Sequence, residues 1–251
     1  MQCPKLYDAS LSKTVPVKAK LSKHLRFPDP RLAGADGLLA AGGNLESNTL
    51  LEAYQSGIFP WFNKDQPILW WSPDPRTVLY PKEIHISRSL RRFVRTTELT
   101  VSCDRNFEGV IDGCAQRRVQ QDGPGTWITE GMKSAYKRLF EDRHAHSFEV
   151  WRQDQLVGGL YGVSIGRIFF GESMFSTVSN ASKLILVSIC KELDRAGFKL
   201  IDCQVSSPHL LSMGASELSR NEYLRELEEA IEQTIDETVW ATWPEQVELP
   251  V

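Results

Sequence analysis

Two short runs combine polar side chains with the apolar composition of a protein core. Residues 166–175 (GRIFFGESMF) hold one carboxylate, Glu172, among three phenylalanines, an isoleucine and a methionine. In residues 199–205 (KLIDCQV), strand alternation places Asp202 and Gln204 on the same face, roughly 6–7 Å apart. A charge in apolar surroundings is costly unless it is paired or hydrogen-bonded, so each residue alone predicts a satisfied buried network. Three of them in two core-like strands favour a functional site.

The elements that must position these residues follow from the hydrophobic period of the chain. Between residues 147 and 173, three runs with a period of two predict an antiparallel meander, with turns at residues 153–154 and 165–166. An apolar helix from about residue 180 to 195, ended by Gly197, then returns the chain to the strand of Asp202 and Gln204. The pattern predicts an α+β fold with a central mixed, largely antiparallel sheet.

Composition and length bound the class of protein. The chain has 251 residues, 41% of them hydrophobic and 24% charged, as expected for a globular protein with a sizeable core. A proline-rich run at residues 72–75 predicts a boundary between a small N-terminal domain, residues 1–74, and a larger domain, residues 75–251. No apolar run approaches the ~18–20 residues that cross a bilayer, and the N-terminus lacks a signal-peptide stretch. Five cysteines without a CxxC pair predict reduced thiols, so we expect a cytoplasmic protein with no membrane partner.

Aromatic residues cluster where prolines interrupt regular strands. Residues 58–76 carry five aromatic side chains, including Trp61, and predict either a packed platform or the wall of a ligand site. A second tryptophan, Trp127, shortly precedes Thr129, the expected N-cap of an amphipathic helix. The N-terminus of a helix suits a phosphate or a ribose. Core packing is the alternative for each ring.

One predicted helix carries a single-sign stripe of charge. Residues 85–96 (HISRSLRRFVRT) predict a helix with Ser87 as N-cap. Its arginines fall at positions i, i+3, i+4 and i+7, and we call them the arginine stripe: Arg88, Arg91, Arg92 and Arg95. A solvated helix face usually mixes charges of both signs, so this stripe favours phosphate binding over a plain surface role.

Several common types of site lack support. His144 and His146 share a strand face, but no third ligand has a familiar spacing, so we expect no metal. Cys203 or Cys114 with a histidine could form a thiol nucleophile, yet nothing near them in the sequence supports one. The chain also has neither a GxxxxGK[ST] nor a GxGxxG motif, which disfavours a nucleotide cofactor.

Seven motifs together carry a resemblance to a known family. The runs GIFPWF, ILWWSPDPR, HISRS, GTWIT, GESMFS, LIDCQV and GASE, in this order and spacing, resemble the bacterial leucyl/phenylalanyl-tRNA–protein transferases. The likeness spans roughly residues 27–227. It implies a small N-terminal domain and a larger domain similar to the acetyltransferase (GNAT) fold. The [QR]xxGx[GA] run that wraps the pyrophosphate of acetyl-CoA is missing, so the implied donor is an aminoacyl-tRNA and no cofactor is implied.

The resemblance also implies a reaction. Such an enzyme moves leucine or phenylalanine, and less well methionine, from aminoacyl-tRNA to the α-amino group of proteins that begin with Lys or Arg. The product is marked for degradation by the N-end rule pathway. An α-amino group has a pKa of about 7.7–8.0, so on the order of a tenth is neutral at pH 7 and positioning can supply much of the catalysis. We expect a monomer that binds aminoacyl-tRNA and acceptor proteins.

By the same resemblance, three residues have catalytic roles and two bind the donor nucleotide. Asp202 would orient Gln204, and Gln204 would contact the aminoacyl carbonyl or the incoming amine. Glu172 would hold the donor's amino group or the cationic end of the acceptor. Trp61 and Trp127 would flank the terminal adenosine, where stacking contributes ~1–3 kcal/mol per base.

The remaining assignments concern the donor side chain and the tRNA backbone. The candidates for the apolar pocket of the Leu or Phe side chain are Leu160, Phe169, Met174 and Phe175. Because side chains alternate along a strand, Phe169 and Phe170 cannot both line this pocket. The arginine stripe would hold the acceptor stem through its phosphates, without reading its sequence.

Two other functions stay open. A ligase that builds cell-wall peptide bridges from aminoacyl-tRNA shares the fold type, but the chain is too short for the second acetyltransferase-like domain of those enzymes. A non-catalytic tRNA-binding module would use the arginine stripe and the tryptophans alone. That interpretation leaves Glu172, Asp202 and Gln204 unexplained.

Overall fold

A computed structural model describes residues 20–21, 26–122, 127–247 and 249. The strands are β1 (Lys20–Leu21), β2 (Leu38–Gly42), β3 (Phe59–Pro60), β4 (Leu69–Trp71), β5 (Arg76–Leu79), β6 (Thr100–Cys103), β7 (Ala145–Arg152), β8 (Gln155–Ile165), β9 (Ile168–Ser176), β10 (Leu200–Gln204) and β11 (Ser216–Leu218). The helices are α1 (Ser47–Gln55), α2 (Arg88–Thr96), α3 (Phe107–Asp122), α4 (Glu130–Glu141), α5 (Ala181–Arg195), α6 (Pro208–Ser212) and α7 (Arg220–Ile231). Within these ranges, none of the helices is long and apolar enough to cross a membrane.

Two β-sheets organise the chain. The smaller sheet has the order β1-β2-β4-β3, and the seven-stranded sheet has the order β11-β5-β10-β9-β8-β7-β6. In the large sheet β9 and β10 are parallel, and the other neighbouring pairs are antiparallel. The predicted meander is formed by β7, β8 and β9. The α+β class and the mixed, largely antiparallel sheet predicted from the sequence are therefore confirmed.

Hydrophobic clusters cover both faces of the large sheet. On the face that we call the α4 face, α1, α3, α4 and α7 pack together with residues of the small sheet, in a cluster that includes Phe170. On the opposite face, the α5 face, α2 and α5 pack in a second cluster that includes Phe169. Residues 232–247 and 249, here called the tail, also pack on the α5 face. Phe169 and Phe170 point to opposite faces, as strand alternation predicts.

The cluster of the α4 face joins the small sheet to the large one. Trp70 of β4 and Leu224 of α7 both belong to it, on either side of the predicted boundary at residues 74–75. In addition, Arg220 donates through Nε to the carbonyl of Ser72 at 2.9 Å. Residues on both sides of the boundary therefore share one core, and the division into residues 1–74 and 75–251 stays a prediction.

Side-chain caps fix the start of the helices that flank the site. Ser87 Oγ accepts a hydrogen bond from the backbone N–H of Leu90 at 3.3 Å, which begins α2 as predicted. Thr129 Oγ1 accepts one from Met132 at 3.3 Å and begins α4. The buried face of α4 comprises Met132, Ala135, Tyr136 and Leu139, the spacing that the sequence predicts.

Candidate active site

Irregularities in two neighbouring parallel strands bring the predicted polar residues together. The regular pairing of β9 with β10 runs from Leu200–Ile168 to Asp202–Phe170. Just beyond it, Glu172 is the extra residue that β9 inserts opposite β8, and Cys203 is the extra residue that β10 inserts opposite β5. There the two strands are joined through side chains, because Gln204 Nε2 donates to Glu172 Oε1 at 2.7 Å.

The bulge in β10 changes one geometric expectation. Regular alternation would place Asp202 and Gln204 on one face of the strand, but the register shifts between them. Gln204 instead adopts a left-handed backbone conformation, with φ of 64°. The backbone N–H of Val205 donates to the carbonyl of Cys203 at 2.7 Å, so Gln204 is the central residue of a γ-turn. A non-glycine residue in this region is strained, and such strain clusters at functional sites.

Glu172 is almost fully buried, with 2% of its surface exposed, and accepts three hydrogen bonds. Tyr54 of α1 donates to Oε1 at 2.6 Å, Tyr136 of α4 donates to Oε2 at 2.7 Å, and Gln204 supplies the third bond. Burial raises the pKa of the Glu172 carboxyl to about 7, although the three hydrogen bonds lower it. This carboxyl therefore changes its charge close to neutral pH.

The two tyrosines form one unit with the carboxylate. Their hydroxyl oxygens lie 2.5 Å apart. Because each hydroxyl carries one proton, both can donate to Glu172 only when neither donates to the other. Burial and the negative charge of Glu172 raise the pKa of both Tyr54 and Tyr136. Both hydroxyls therefore stay protonated near neutral pH, and they remain hydrogen-bond donors to the carboxylate.

Asp202 is anchored by a buried ion pair with Arg76. Arg76 Nε lies 2.8 Å from Asp202 Oδ1, and Nη2 lies 2.5 Å from Oδ2. Tyr223 donates to Oδ2 at 2.8 Å, and the backbone N–H of Gln204 donates to Oδ1 at 2.9 Å. Burial alone would lower the pKa of the guanidinium, but Asp202 more than offsets this and the pKa lies above its ordinary value. Asp202 thus fixes the backbone of Gln204, as the predicted orienting role requires.

These contacts set the direction of the Gln204 amide. An ionised carboxylate only accepts hydrogen bonds, so the Nε2 group must face Glu172. The carbonyl oxygen Oε1 is then the end of the amide that remains for another partner. Gln204 is 6% exposed, and among the described residues its Oε1 is not one of the fully buried side-chain atoms that lack a hydrogen-bond partner. The arrangement can accept a hydrogen bond from an amine at a fixed position.

The residues predicted for the side-chain pocket do not all share one face. Leu160 lies opposite Met174 in the β8–β9 ladder, and both pack with Phe169 on the α5 face. Phe175 packs in the cluster of the α4 face. The bulge at Glu172 explains this separation, because one extra residue reverses the alternation of every following side chain. Leu160, Phe169 and Met174 are therefore brought together, and Phe175 is not.

The two tryptophans come from different parts of the chain. The ring of Trp61 lies 5.8 Å from the ring of Trp71, whose Nε1 donates to the Trp61 carbonyl at 2.6 Å. Trp127 lies just before the first turn of α4. Both rings are half-buried and pack against the cluster of the α4 face, which also holds the side chain of Tyr54. Stacking of either ring on an adenosine stays a prediction.

The arginine stripe lies on the solvent side of α2. Leu90 and Val94 of this helix are buried in the cluster of the α5 face. The side chains opposite are exposed at Arg88, Arg92 and Arg95, and half-buried at Arg91. The stripe and the Leu160–Phe169–Met174 group thus lie on the same side of the large sheet. Phosphate binding by the stripe stays a prediction.

Four partners of the site were not foreseen: Tyr54, Tyr136, Arg76 and Tyr223. The sequence does hold a signal for the tyrosines, since a tyrosine at a buried position of a helix needs a hydrogen-bond partner for its hydroxyl. Arg76 carries the equivalent signal, because it lies at the end of the aromatic run and a buried guanidinium requires an anion.

One group of side chains could hold a metal ion. Among the described residues, Cys103, Asp104 and His146 offer ligand atoms within 4.8 Å of one another. Asp104 already accepts hydrogen bonds from His146 Nδ1 at 2.7 Å and from the backbone N–H of Ser147 at 2.8 Å. Burial and nearby carboxylates raise the pKa of the Cys103 thiol, which disfavours the thiolate that a metal requires. His144, which the sequence places on the same strand face as His146, is not part of this group.

Comparison with known proteins identifies the family. The sequence model of the leucyl/phenylalanyl-tRNA protein transferase family matches residues 78–228, which is more than half of the chain. The chain belongs to this family. The model of the N-terminal domain of leucyl/phenylalanyl-tRNA protein transferases matches residues 43–74. The resemblance seen in the seven motifs is therefore confirmed, and the motifs with Glu172 and Asp202 lie inside the matched range.

Individual family members are close in sequence. Leucyl/phenylalanyl-tRNA–protein transferases from Salmonella arizonae and Salmonella typhi are each 51% identical over 224 residues, which cover 88% of this chain and 94% of each relative. Among solved structures, L-PGS from Bacillus licheniformis is similar over 67% of this chain and 53% of its own, with 9% identity and a TM-score of 0.38. A likeness this distant supports no inference about function.

Proposed function

We propose that this protein transfers leucine or phenylalanine, and less well methionine, from aminoacyl-tRNA to the α-amino group of proteins that begin with Lys or Arg. Membership of the transferase family supports the reaction class. The proposal rests mainly on how Gln204 is held. Its side-chain amide donates to Glu172, and its backbone N–H donates to Asp202. In this proposal the protein is a monomer in the cytoplasm, where charged tRNA is available.

The chemical step needs a positioned amine more than a strong base. The neutral α-amine attacks the carbonyl carbon of the aminoacyl ester, the C–N bond forms, and the bond to the 3′ oxygen of the tRNA breaks. The leaving oxygen takes a proton, and the amine loses one. Gln204 Oε1 accepts a hydrogen bond from the attacking amine and holds its lone pair towards the carbonyl. Because on the order of a tenth of such amines is neutral at pH 7, positioning is the larger contribution.

Glu172 has a further role in charge recognition. A carboxylate offers about four acceptor positions, and three of those on Glu172 are occupied by Tyr54, Tyr136 and Gln204. The free position is on Oε2, which accepts from Tyr136 alone. A cationic group of the donor or the acceptor that approaches this oxygen stabilises the ionised carboxylate, and the carboxylate in turn stabilises the cation. Glu172 therefore holds the donor's amino group or the cationic end of the acceptor.

The aminoacyl-adenosine end of the donor is held at two places. Its side chain enters the apolar group formed by Leu160, Phe169 and Met174, where a flexible methionine accommodates both leucine and phenylalanine. Phe175, on the opposite face, contributes to the support of β9 on α3 and not to the wall itself. Trp61 and Trp127 stack on the terminal adenosine. A hydrophobic pocket discriminates only ~10–200-fold per methylene, which accounts for transfer of methionine.

The tRNA body is held by charge. The arginine stripe on α2 contacts phosphates of the acceptor stem, which fixes its orientation without reading its sequence. Selection among donors then depends on the aminoacyl group. The product carries a new N-terminal leucine or phenylalanine, and we propose that it is degraded by the N-end rule pathway.

A transfer assay with matched acceptors tests this function. Leucyl-tRNA with labelled leucine is incubated with the protein and an acceptor that begins with Arg, beside the same acceptor beginning with Ser. We expect label on the Arg-starting protein only, located at its N-terminus by mass spectrometry. No label on either acceptor, with tRNA binding intact, would establish the non-catalytic binding module instead. Label on a lipid-linked peptide in place of the protein would establish the cell-wall ligase.

A further inference from the structure

The tail packs behind the group of residues that we propose as the donor side-chain pocket. The ring of Trp243 lies 4.8 Å from the ring of Phe148 in β7. Its indole N–H donates to Ser188 Oγ of α5 at 3.1 Å. One tryptophan of the tail therefore contacts both elements that enclose the α5 face, the sheet and the helix.

A chain of ring contacts leads from the tail to the proposed pocket. Phe148 lies 5.3 Å from Phe169 in an edge-to-face arrangement, with an interplanar angle of 72°. Phe169 is fully buried, and it belongs to the same cluster as Leu160 and Met174. Because close-packed rings cannot move independently, the position of Trp243 limits how far Phe148 and Phe169 can retreat from a bound side chain.

From these contacts we infer that Trp243 sets the depth of the donor side-chain pocket and so determines which amino acids are transferred. The inference rests on the proposed function, because it concerns the pocket of that reaction. Trp243 does not touch the donor; it is a positioning residue that acts through Phe148 and Phe169. It also lies beyond residues 43–74 and 78–228, which the family models match.

Removing the indole has a defined consequence for selectivity. Trp243→Ala leaves space behind Phe148, so Phe148 and Phe169 can move away from the pocket and enlarge it. Larger donor side chains then gain relative to leucine. A hydrophobic pocket distinguishes side chains by ~10–200-fold per methylene, so we expect the ratio of kcat/KM for phenylalanyl-tRNA to that for leucyl-tRNA to rise about tenfold. Trp243→Phe retains a ring against Phe148 and should change this ratio by less than about threefold.

The matched control is the other tryptophan of the tail. Trp240 stacks on His146, with ring centroids 3.7 Å apart, and its ring lies farther from Phe148, at 6.3 Å. Trp240→Ala removes the same number of atoms from the same segment. It should lower stability and leave the ratio near that of the unmodified protein. If both variants shift the ratio equally, docking of the tail as a whole sets selectivity, and our assignment to Trp243 is wrong.

The experiment measures transfer from leucyl-, phenylalanyl- and methionyl-tRNA for the unmodified protein and each variant. A rate that falls equally for the three donors in Trp243→Ala, with an unchanged ratio, would show a purely structural role and overturn the inference. If that variant does not fold, Trp243→Leu opens less space and must shift the ratio in the same direction. An unmodified protein that transfers no amino acid would overturn the proposed function; an active one with an unchanged ratio in the variants overturns this inference alone.

Discussion

Replacing Glu172 with glutamine should remove a pH dependence from the stability of the protein. Burial raises the pKa of this carboxyl from its ordinary value of 4.5 to about 7 in the folded state. Between these two values the folded protein keeps a proton that the unfolded chain has released. The unfolded state then binds fewer protons, so the free energy of unfolding falls as pH rises from about 4.5 to about 7.

The size of the effect follows from the same two values. One pKa unit corresponds to ~1.4 kcal/mol, so titration of Glu172 lowers the free energy of unfolding by about 3 kcal/mol across this interval. Glu172→Gln cannot titrate and lacks this term. The stability of the variant relative to the unmodified protein should therefore increase by about 3 kcal/mol between pH 4 and pH 8. Any pH-independent effect of exchanging the carboxyl group for a carboxamide cancels when the stability difference at pH 4 is compared with that at pH 8.

Urea denaturation followed by tryptophan fluorescence provides the measurement, since the chain holds seven tryptophans. Both proteins are unfolded at several pH values in this range. Tyr54→Phe serves as a directional test: it removes a donor to the charged carboxylate, so the fall in stability should extend to higher pH. Parallel stability curves for the unmodified protein and Glu172→Gln would refute the account of a buried carboxyl that is protonated near neutral pH.

Three further perturbations test the ion pair, the arginine stripe and the nucleotide contact. Asp202→Asn leaves Arg76 buried without its counter-charge and should lower the free energy of unfolding in urea by about 3–5 kcal/mol. Arg76→Met combined with Asp202→Leu removes both charges and should recover most of this stability. A double variant as unstable as Asp202→Asn would contradict this. Arg92→Ala should reduce the slope of log K against log salt for tRNA binding by about 0.7–0.9, and an unchanged slope in filter binding would remove this arginine from the tRNA interface. Trp127→Ala should weaken donor binding by about 1–3 kcal/mol and Trp127→Phe by less; equal binding by both variants and the unmodified protein would exclude stacking.

The elements of the site could be predicted because their signals are local. The meander follows from a period of two. Ser87 is the N-cap of α2, because its hydroxyl can accept a hydrogen bond from the backbone N–H of Leu90 three residues later. Tyr136 could be placed on the buried face of α4 because the apolar residues of this helix recur with helical spacing. Each of these predictions needs only a few consecutive residues and the geometry of one element.

Apart from the contact between Asp202 and Gln204, the contacts of the site could not be predicted, because they join residues that are far apart in the chain. Arg76 and Asp202 are separated by 126 positions, and Tyr54 and Glu172 by 118. The bulge at Glu172 also has no clear sequence signature, yet it decides which side chains face the α5 cluster. It moves Phe175 away from Phe169, and alternation alone would have placed the two together.

The most direct test of the mechanism is the rate of a single round of transfer in Gln204→Ala. The unmodified protein and the variant are mixed in excess with leucyl-tRNA and an acceptor beginning with Arg, after leucyl-tRNA binding has been shown to be equal. We expect the rate to fall about a hundredfold, because the amine loses the hydrogen bond that positions it. Transfer at the same rate by both proteins would contradict the role of Gln204 and with it the proposed organisation of the site.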